Sequence, residues 1–491
     1  MDFPTGGVGV SSIVCAWLIL GLPALASAKA SELDILEYHL SMRLNLEQRE
    51  VFAPLNTLSA TARITFINKN ESPVTQVPAI LYRLLKVDSV RNGKSEPLQF
   101  TQRLDSLEGW DLYQANLITI DLDRPLPSGE KATIEIDYAG PIVGMRESGM
   151  LYVQDSLDPD FTIIRPESAT YPHLADPTRA SLEYRFGRGN DTFHQVASVT
   201  VPDALVVASG LDLRQKKARD GWTTWEYRSN QPASQIILPV APYEVLETAA
   251  ARIYFFPEDM EGAQRVANGI ARAMALLEDW LGPPGNRASF AVVEIPEWYG
   301  SQALRPTVIQ DARAFRDAGA MAELYHEISH FWNVTDPSPA PSRWDEGLAM
   351  YLQEIVRQEL DQDAENLVST WEKTFQWLKR HLDEHPEYRD VPLIRAGEMN
   401  LTSVLSYGGG QLMFALLHHR LGVDRLLALL REFNDAHLAS GATSIEFAEF
   451  LLRQAPSSKH IIEDWFLGGE YCNFVLSSPD FSALIHHYAS D

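Results

Sequence analysis

The sequence predicts an α+β chain of two domains, an antiparallel β domain over residues 29–245 followed by a mainly helical domain over 246–491. Three observations carry that expectation. A length of 491 residues exceeds what one core serves, so more than one domain is expected. The apolar period is two up to about residue 245 and helical beyond it. Hydrophobic residues make up 45% against 22% charged, with no repeat or low-complexity tract, which is the balance of a folded chain.

Residues 1–28 stand apart from both halves. "SSIVCAWLILGLPALASA" is an apolar run with Pro23 near its end and a small-x-small site at Ala26-Ser27-Ala28, so a signal peptide cut near Ala28 is expected. Asp2 and no Lys or Arg precedes the run, and an uncleaved N-terminal anchor is the alternative. That anchor would be the chain's one route to a membrane. Cys15 belongs to this segment, which leaves Cys472 alone and allows no intramolecular disulfide in a mature chain. The expected location is therefore exported, periplasmic or extracellular. A formal charge of -25, with no Lys/Arg cluster read to offset it, argues against nucleic acid and anionic lipid as partners.

In the β half, "SATARITFINK", "NLITIDLD" and "KATIEIDYAG" alternate apolar and polar residues, and turn-rich pieces such as "NKNESP" and "LPSGEK" separate them. After "LPVAPYEVLE" the period changes. Val266, Ile270, Met274, Leu277 and Leu281 fall on one helical face that ends at Gly-Pro-Pro-Gly, and a short strand, "SFAVVEI", follows. Beyond Ala318 the segments "ENLVSTWEKTFQWLKRHLDEH", "GGGQLMFALLHHRLG", "DRLLALLREFN" and "IEFAEFLLRQAP" all carry the helical period.

Chemistry concentrates in "AELYHEISHFWN". His326 and His330 are four apart, so on a helix both imidazoles project from one face and can bind one ion, for which zinc is the natural choice. Glu327, one position round, is placed for a general base. A random His-Glu-x-x-His arises in roughly one chain in fifty, so the motif needs a third ligand. Glu346, near the start of the helix opened by "SRWDEGLAMYLQE", supplies one, with Asp345 as an outside candidate. Three protein ligands leave a position for water, as catalytic zinc requires.

H-E-x-x-H followed by an E-G-x-A-x-Y helix resembles the gluzincin peptidases of the membrane alanyl aminopeptidase family, and the resemblance covers essentially the whole mature chain. "YPHLADPTRASLEYRF" and "VPDALVVASG" are similar to that family's N-terminal domain. The resemblance implies a saddle-like N-terminal β-sandwich ahead of a thermolysin-like catalytic domain. It implies His326, His330 and Glu346 as ligands of one Zn2+ per chain, Glu327 as general base and Tyr407 in "LSYGGGQLMF" as the phenol that stabilises the oxyanion. Residue type alone favours a buried packing aromatic at Tyr407.

Four departures accompany the resemblance. Fifteen residues separate His330 from Glu346 where the family usually has eighteen, a difference a proline-rich loop absorbs. Gln353 stands where the family commonly has a glutamate that orients a ligand, with Glu354 the neighbour that would compensate. Ala303 in "WYGSQALRPTVIQ" occupies the place of the G-x-M-E-N glutamate that binds the substrate's free amine, and Glu294 or Glu297 is the replacement the sequence offers. After "TSIEFAEFLLRQAPSSKHIIEDWF" some two dozen residues remain, so no counterpart of the family's helical C-terminal cap is read and a more open cleft is expected. The expected activity is hydrolysis of peptide bonds in a peptide or protein substrate, without the family's reason to demand a free N-terminus. Two alternatives stay open, a non-peptide zinc hydrolase of the epoxide or ester type and a catalytically silent zinc-containing binding protein.

Overall fold

The computed structural model describes residues 33–48, 54–107, 110–144, 154–175, 192–285, 290–304, 306–338, 342–361, 365–397 and 402–489. The expected signal segment with Cys15, and "YPHLADPTRASLEYRF" from Asp176 onward, lie outside these.

Strands come first along the chain: β1 (Leu33–Asn45), β2 (Thr57–Asn68), β3 (Val74–Tyr82), β4 (Lys86–Asn92), β5 (Phe100–Leu107), β6 (Trp110–Leu126), β7 (Lys131–Gly140), β8 (Thr162–Ile164), β9 (His194–Pro202), β10 (Val206–Val207), β11 (Asp212–Arg219) and β12 (Trp222–Arg228). Then follow β13 (Leu238–Ala241), β14 (Glu244–Glu247), β15 (Ala251–Phe255), β16 (Phe290–Ile295), β17 (Gln302–Leu304) and β18 (Thr307–Asp311). A seven-stranded sheet in the order β11-β12-β9-β1-β2-β7-β4 forms the N-terminal part, with three-stranded sheets β3-β6-β5 and β10-β13-β8 against it. β2 alternates buried and half-buried residues along its length, because one face of its sheet covers a core built from residues such as Leu40, Ile64, Phe66, Ile136 and Val199. The expected antiparallel sheet has one parallel pair, β1 with β9. The chain leaves after β7 and returns after a long excursion to lie beside its first strand.

The helical half contains more sheet than its sequence announces. β14-β15-β16-β18-β17 form a five-stranded mixed sheet, in which β15, β16 and β18 run parallel and β17 pairs antiparallel at the edge. β16 and β18 are buried at every residue, so neither shows alternation. A cluster of Phe161, Ile163, Tyr243, Tyr254, Val293 and Ile309 joins this sheet to the small β8–β13 sheet.

The helices are α1 (Met260–Leu281), α2 (Arg313–Arg316), α3 (Met321–Ser329), α4 (Trp344–Leu360), α5 (Leu367–Glu384), α6 (Gly410–Leu421), α7 (Val423–His437) and α8 (Ser444–Gln454), followed by shorter segments. α1 buries Val266, Ile270, Ala273, Leu277 and Leu281 and stops at Gly282, whose φ of 81° suits glycine. No helix among the described residues is long and apolar enough to cross a membrane.

One reading of the sequence needs correction. Arg214, Lys216, Lys217 and Arg219 do form a basic group, on the exposed edge strand β11. It is diluted as a patch because Arg214 pairs with Asp212, Arg219 pairs with Asp220, and Lys216 lies over Trp225.

Candidate metal centre

α3 carries the first part of the site. Its four-residue spacing brings Nε2 of His326 within 3.1 Å of Nε2 of His330, with the two rings nearly perpendicular. α4 delivers Glu346 from its first turn, and Oε2 lies 3.4 Å from each of those nitrogens. All three side chains are strongly shielded from solvent. Ligand atoms bonded to zinc at about 2.0 Å with tetrahedral angles stand about 3.3 Å apart, so the observed triangle fits one zinc ion. These residues form the one three-ligand group found among the described residues, and its atoms lie within 4.8 Å of one another. Asp345 is not part of it.

Charge reinforces the geometry. Burial works against ionising Glu346, yet Arg343 and His330 beside it hold its carboxyl well below the usual carboxylate range. Burial likewise opposes charge on His330, and Glu346 overcomes it and raises the imidazole's pKa. The side-chain amide of Asn333 lies 2.8 Å from Nδ1 of His330 and reaches Oδ2 of Asp345 at 2.8 Å, which fixes that ring. His326 has no such support, because its Nδ1 is buried without a hydrogen-bond partner among the described residues. Gln353 donates to Glu354 at 2.7 Å, and Glu354 accepts from Arg357 at 3.0 Å. The compensation expected of Glu354 is therefore not made.

Glu327 stands beside this triangle with its carboxyl buried. Burial pushes its pKa up to about 8 against the opposing pull of His326, and the backbone N–H of Ala303 donates to it. Ala303 thus meets the site through its main chain, on the edge strand β17. Glu294 and Glu297 are turned elsewhere: Oε2 of Glu294 accepts from Phe256 N at 2.8 Å, and Glu297 pairs with Arg316. Glu294 lies inside because β16 has no solvent face.

Tyr407 arrives from a different part of the chain. Residues Thr402–Gly409 form a π-helical stretch leading into α6, and the ring of Tyr407 stacks on His326 at 5.9 Å and 12°. Burial raises its pKa well above the ordinary phenol value, as does a hydrogen bond to Glu346, so the hydroxyl keeps its proton. The approach depends on small residues. A Cβ on Gly347 would fall 2.5 Å from Cα of Gly410, so α4 and the start of α6 touch backbone to backbone next to both Glu346 and Tyr407. Ser406 Oγ donates to the carbonyl of Ser342 at 2.6 Å and closes the same seam.

Sequence reasoning passed over two residues here. Arg343 pairs with Oε1 of Glu346 from the turn before α4, and a lone basic residue before a tryptophan gives no signal of that. Glu167 is a buried carboxyl that accepts from Gln302 Nε2 at 2.9 Å, one residue from Ala303, and only tertiary structure joins positions so far apart.

No protein-family model matches the chain, and no curated protein does. Solved structures do match it. An M1 zinc metallopeptidase from Deinococcus radiodurans is 16% identical at a TM-score of 0.62, over 89% of this chain and 95% of that one. A mutant of it bound to a Tyr-Ser-Ala substrate is 16% identical at 0.61, over 88% and 94%. A two-domain M1 zinc metallopeptidase mutant bound to L-arginine is 16% identical at 0.60, over 89% and 95%. The N-terminal β sheets and the helical second half share the two-domain fold of the M1 zinc metallopeptidases, and the His326, His330 and Glu346 triangle lies in that helical half.

Proposed function

We propose that the chain is a zinc-dependent metallopeptidase that hydrolyses peptide bonds. The observation that carries this reading is the triangle of two Nε2 atoms and one carboxylate oxygen, at 3.1 and 3.4 Å, with Glu327 and Tyr407 beside it. Zinc, if held there by His326, His330 and Glu346, would supply Lewis acidity toward the peptide carbonyl and lower the pKa of a water toward neutrality. Glu327 takes the proton of the attacking water and passes it to the leaving amine nitrogen, from a buried position beside the three ligands where the backbone N–H of Ala303 donates to it. The protonated phenol of Tyr407 donates a hydrogen bond to the developing oxyanion. Ala303, held by its backbone N–H at Glu327, orients that carboxylate from the edge strand.

Ala303 also bears on specificity, since its methyl cannot neutralise a substrate ammonium. The first reading is therefore a peptidase indifferent to a free N-terminus. A second reading, in which the amine is still required, is supported by Glu167, whose carboxyl sits at Gln302 next to Ala303. The exported location read from residues 1–28 belongs to the same proposal, and the mass of the mature N-terminus tests it.

Turnover of a fluorogenic peptide library, containing free and N-terminally blocked members, tests the activity. Glu327→Gln and Tyr407→Phe are expected to lower kcat by on the order of 100-fold or more while leaving zinc content near one per chain. Chelation should abolish turnover and zinc restore it. Equal inertness of wild type and both variants would remove the peptidase reading. Strict rejection of blocked peptides, relieved in Glu167→Gln, would favour the second reading over the first.

A further inference from the structure

We propose that Arg343 is a positioning residue that restricts Glu346 to ligation through one oxygen and so keeps a coordination position open at the metal; this rests on the metal-centre reading above. The two oxygens of Glu346 have different neighbours. Oε1 is ion-paired with the Arg343 guanidinium, while Oε2 alone faces Nε2 of His326 and of His330, at 3.4 Å from each. Carboxylates ligate through one oxygen or two, and an unrestrained Glu346 has both to offer. A second oxygen on the ion would take the position that a catalytic site reserves for an exchangeable ligand.

The backbone is arranged for this contact. Arg343 has a φ of 54°, in the left-handed region that non-glycine residues seldom occupy. It gives α4 no side-chain cap, so the unfavourable turn does not serve the helix end through its side chain. What the turn does provide is a double tie: Glu346 N donates to Arg343 O at 3.0 Å, and the guanidinium returns to Oε1 of the same residue. With its side chain 28% exposed, Arg343 stays at the rim of the cluster while the Glu346 side chain is 3% exposed. Asp345, the neighbouring carboxyl, is engaged by Asn333, and although the Tyr407 hydroxyl also reaches the Glu346 carboxyl, Arg343 is the cation paired with Oε1.

The full chain, stripped and reconstituted with cobalt(II), gives a readout independent of turnover. The wild type is expected to show the intense visible bands of four-coordinate cobalt. Arg343→Gln and Arg343→Met are expected to show the weak bands of a five-coordinate ion and to bind cobalt about tenfold more tightly, since a like charge is gone and a second oxygen ligates. Arg343→Lys, which keeps a cation for Oε1, should retain the wild-type spectrum. A merely structural role would instead lower cobalt affinity without changing band intensity, and that result would overturn the proposal. So would weak bands in the wild type, or unchanged spectra in both neutral variants. Failure of the metal-centre reading is separate, because cobalt binding would then be insensitive to loss of His326 or His330.

Discussion

Gly347→Ala tests whether the backbone contact between α4 and α6 sets the active geometry. The new Cβ would stand 2.5 Å from Gly410 Cα, 2.6 Å from Gly410 C and 2.6 Å from Ser406 O. Non-bonded carbon atoms settle at about 3.5–4.0 Å, so the two segments must part by about 1 Å, and backbone atoms cannot turn aside as a side chain would. Overpacking of this kind costs roughly 1–3 kcal/mol. The same displacement opens between Glu346, which precedes the substituted glycine, and Tyr407, which precedes Gly408. Misplacement by about 1 Å can cost on the order of 100-fold in turnover. The expected outcome is a lower unfolding midpoint, kcat reduced about 100-fold and weaker zinc binding, since Glu346 moves with α4 while His326 and His330 stay in place. Gly410→Ala should do the same more mildly, because its Cβ meets Gly347 Cα at 2.9 Å. A Gly347→Ala protein with wild-type turnover and melting, or a reversed ranking of the two variants, would refute the reasoning.

Two further predictions concern pH and stability. Burial pushes Glu294 up to about 9, so at neutral pH its carboxyl keeps its proton while Oε2 accepts from Phe256 N. A carboxyl raised from 4.5 to about 9 contributes stability that is full below pH 4.5 and lost as pH rises through about 9. Glu294→Gln keeps the shape and cannot ionise, so it should melt above the wild type from pH 7 upward, with the gap widening to about pH 9; melting curves that coincide at pH 8 would contradict this. His418, lowered from 6.5 to about 4 by burial and then by His419, sits with Nδ1 2.8 Å from the Tyr351 hydroxyl. Its neutral form is the one the fold accepts, so stability should fall as pH drops from 6.5 to about 4 and level off below that. Urea midpoints at pH 7 and pH 5 measure it, and an unchanged slope in His418→Gln would assign the effect to other groups.

How much of the molecule the sequence disclosed follows the range of the interactions. β2 and β7 alternate over ten residues or more, and α1 keeps one apolar face over 22, so local pattern announced both. β17 and β18 have three and five residues, and β18 is buried throughout, so the five-stranded sheet was read as a single strand. The parallel pairing of β1 with β9 joins Glu37 to His194, a separation at which no local signal operates. β16 was legible as the strand "SFAVVEI", but a strand buried on both faces does not tell where its Glu294 points, and that carboxyl turns to Phe256 N rather than to the metal centre.

At the metal centre the division is sharper. His326, Glu327, His330 and Glu346 lie within 21 consecutive residues, where spacing pairs the two histidines and the packing of α4 beside α3 adds Glu346. Tyr407 comes 61 positions after Glu346 and reaches it because Gly347 and Gly410 let two backbones meet and Ser406 ties the π-helical stretch to Ser342. Resemblance identified Tyr407, but the glycines that place it acquire their reason only from the contact. Arg343 had neither spacing nor resemblance to point to it, because its role depends on a left-handed backbone turn that aims one guanidinium at one oxygen. Local letters thus located the candidate ligands, while Tyr407 and Arg343, to which the proposals assign the oxyanion and the coordination, are set by contacts between distant or unusually turned segments. Substitutions at Gly347, Gly410 and Arg343 should consequently alter turnover or coordination while leaving the His-Glu-x-x-His signature intact.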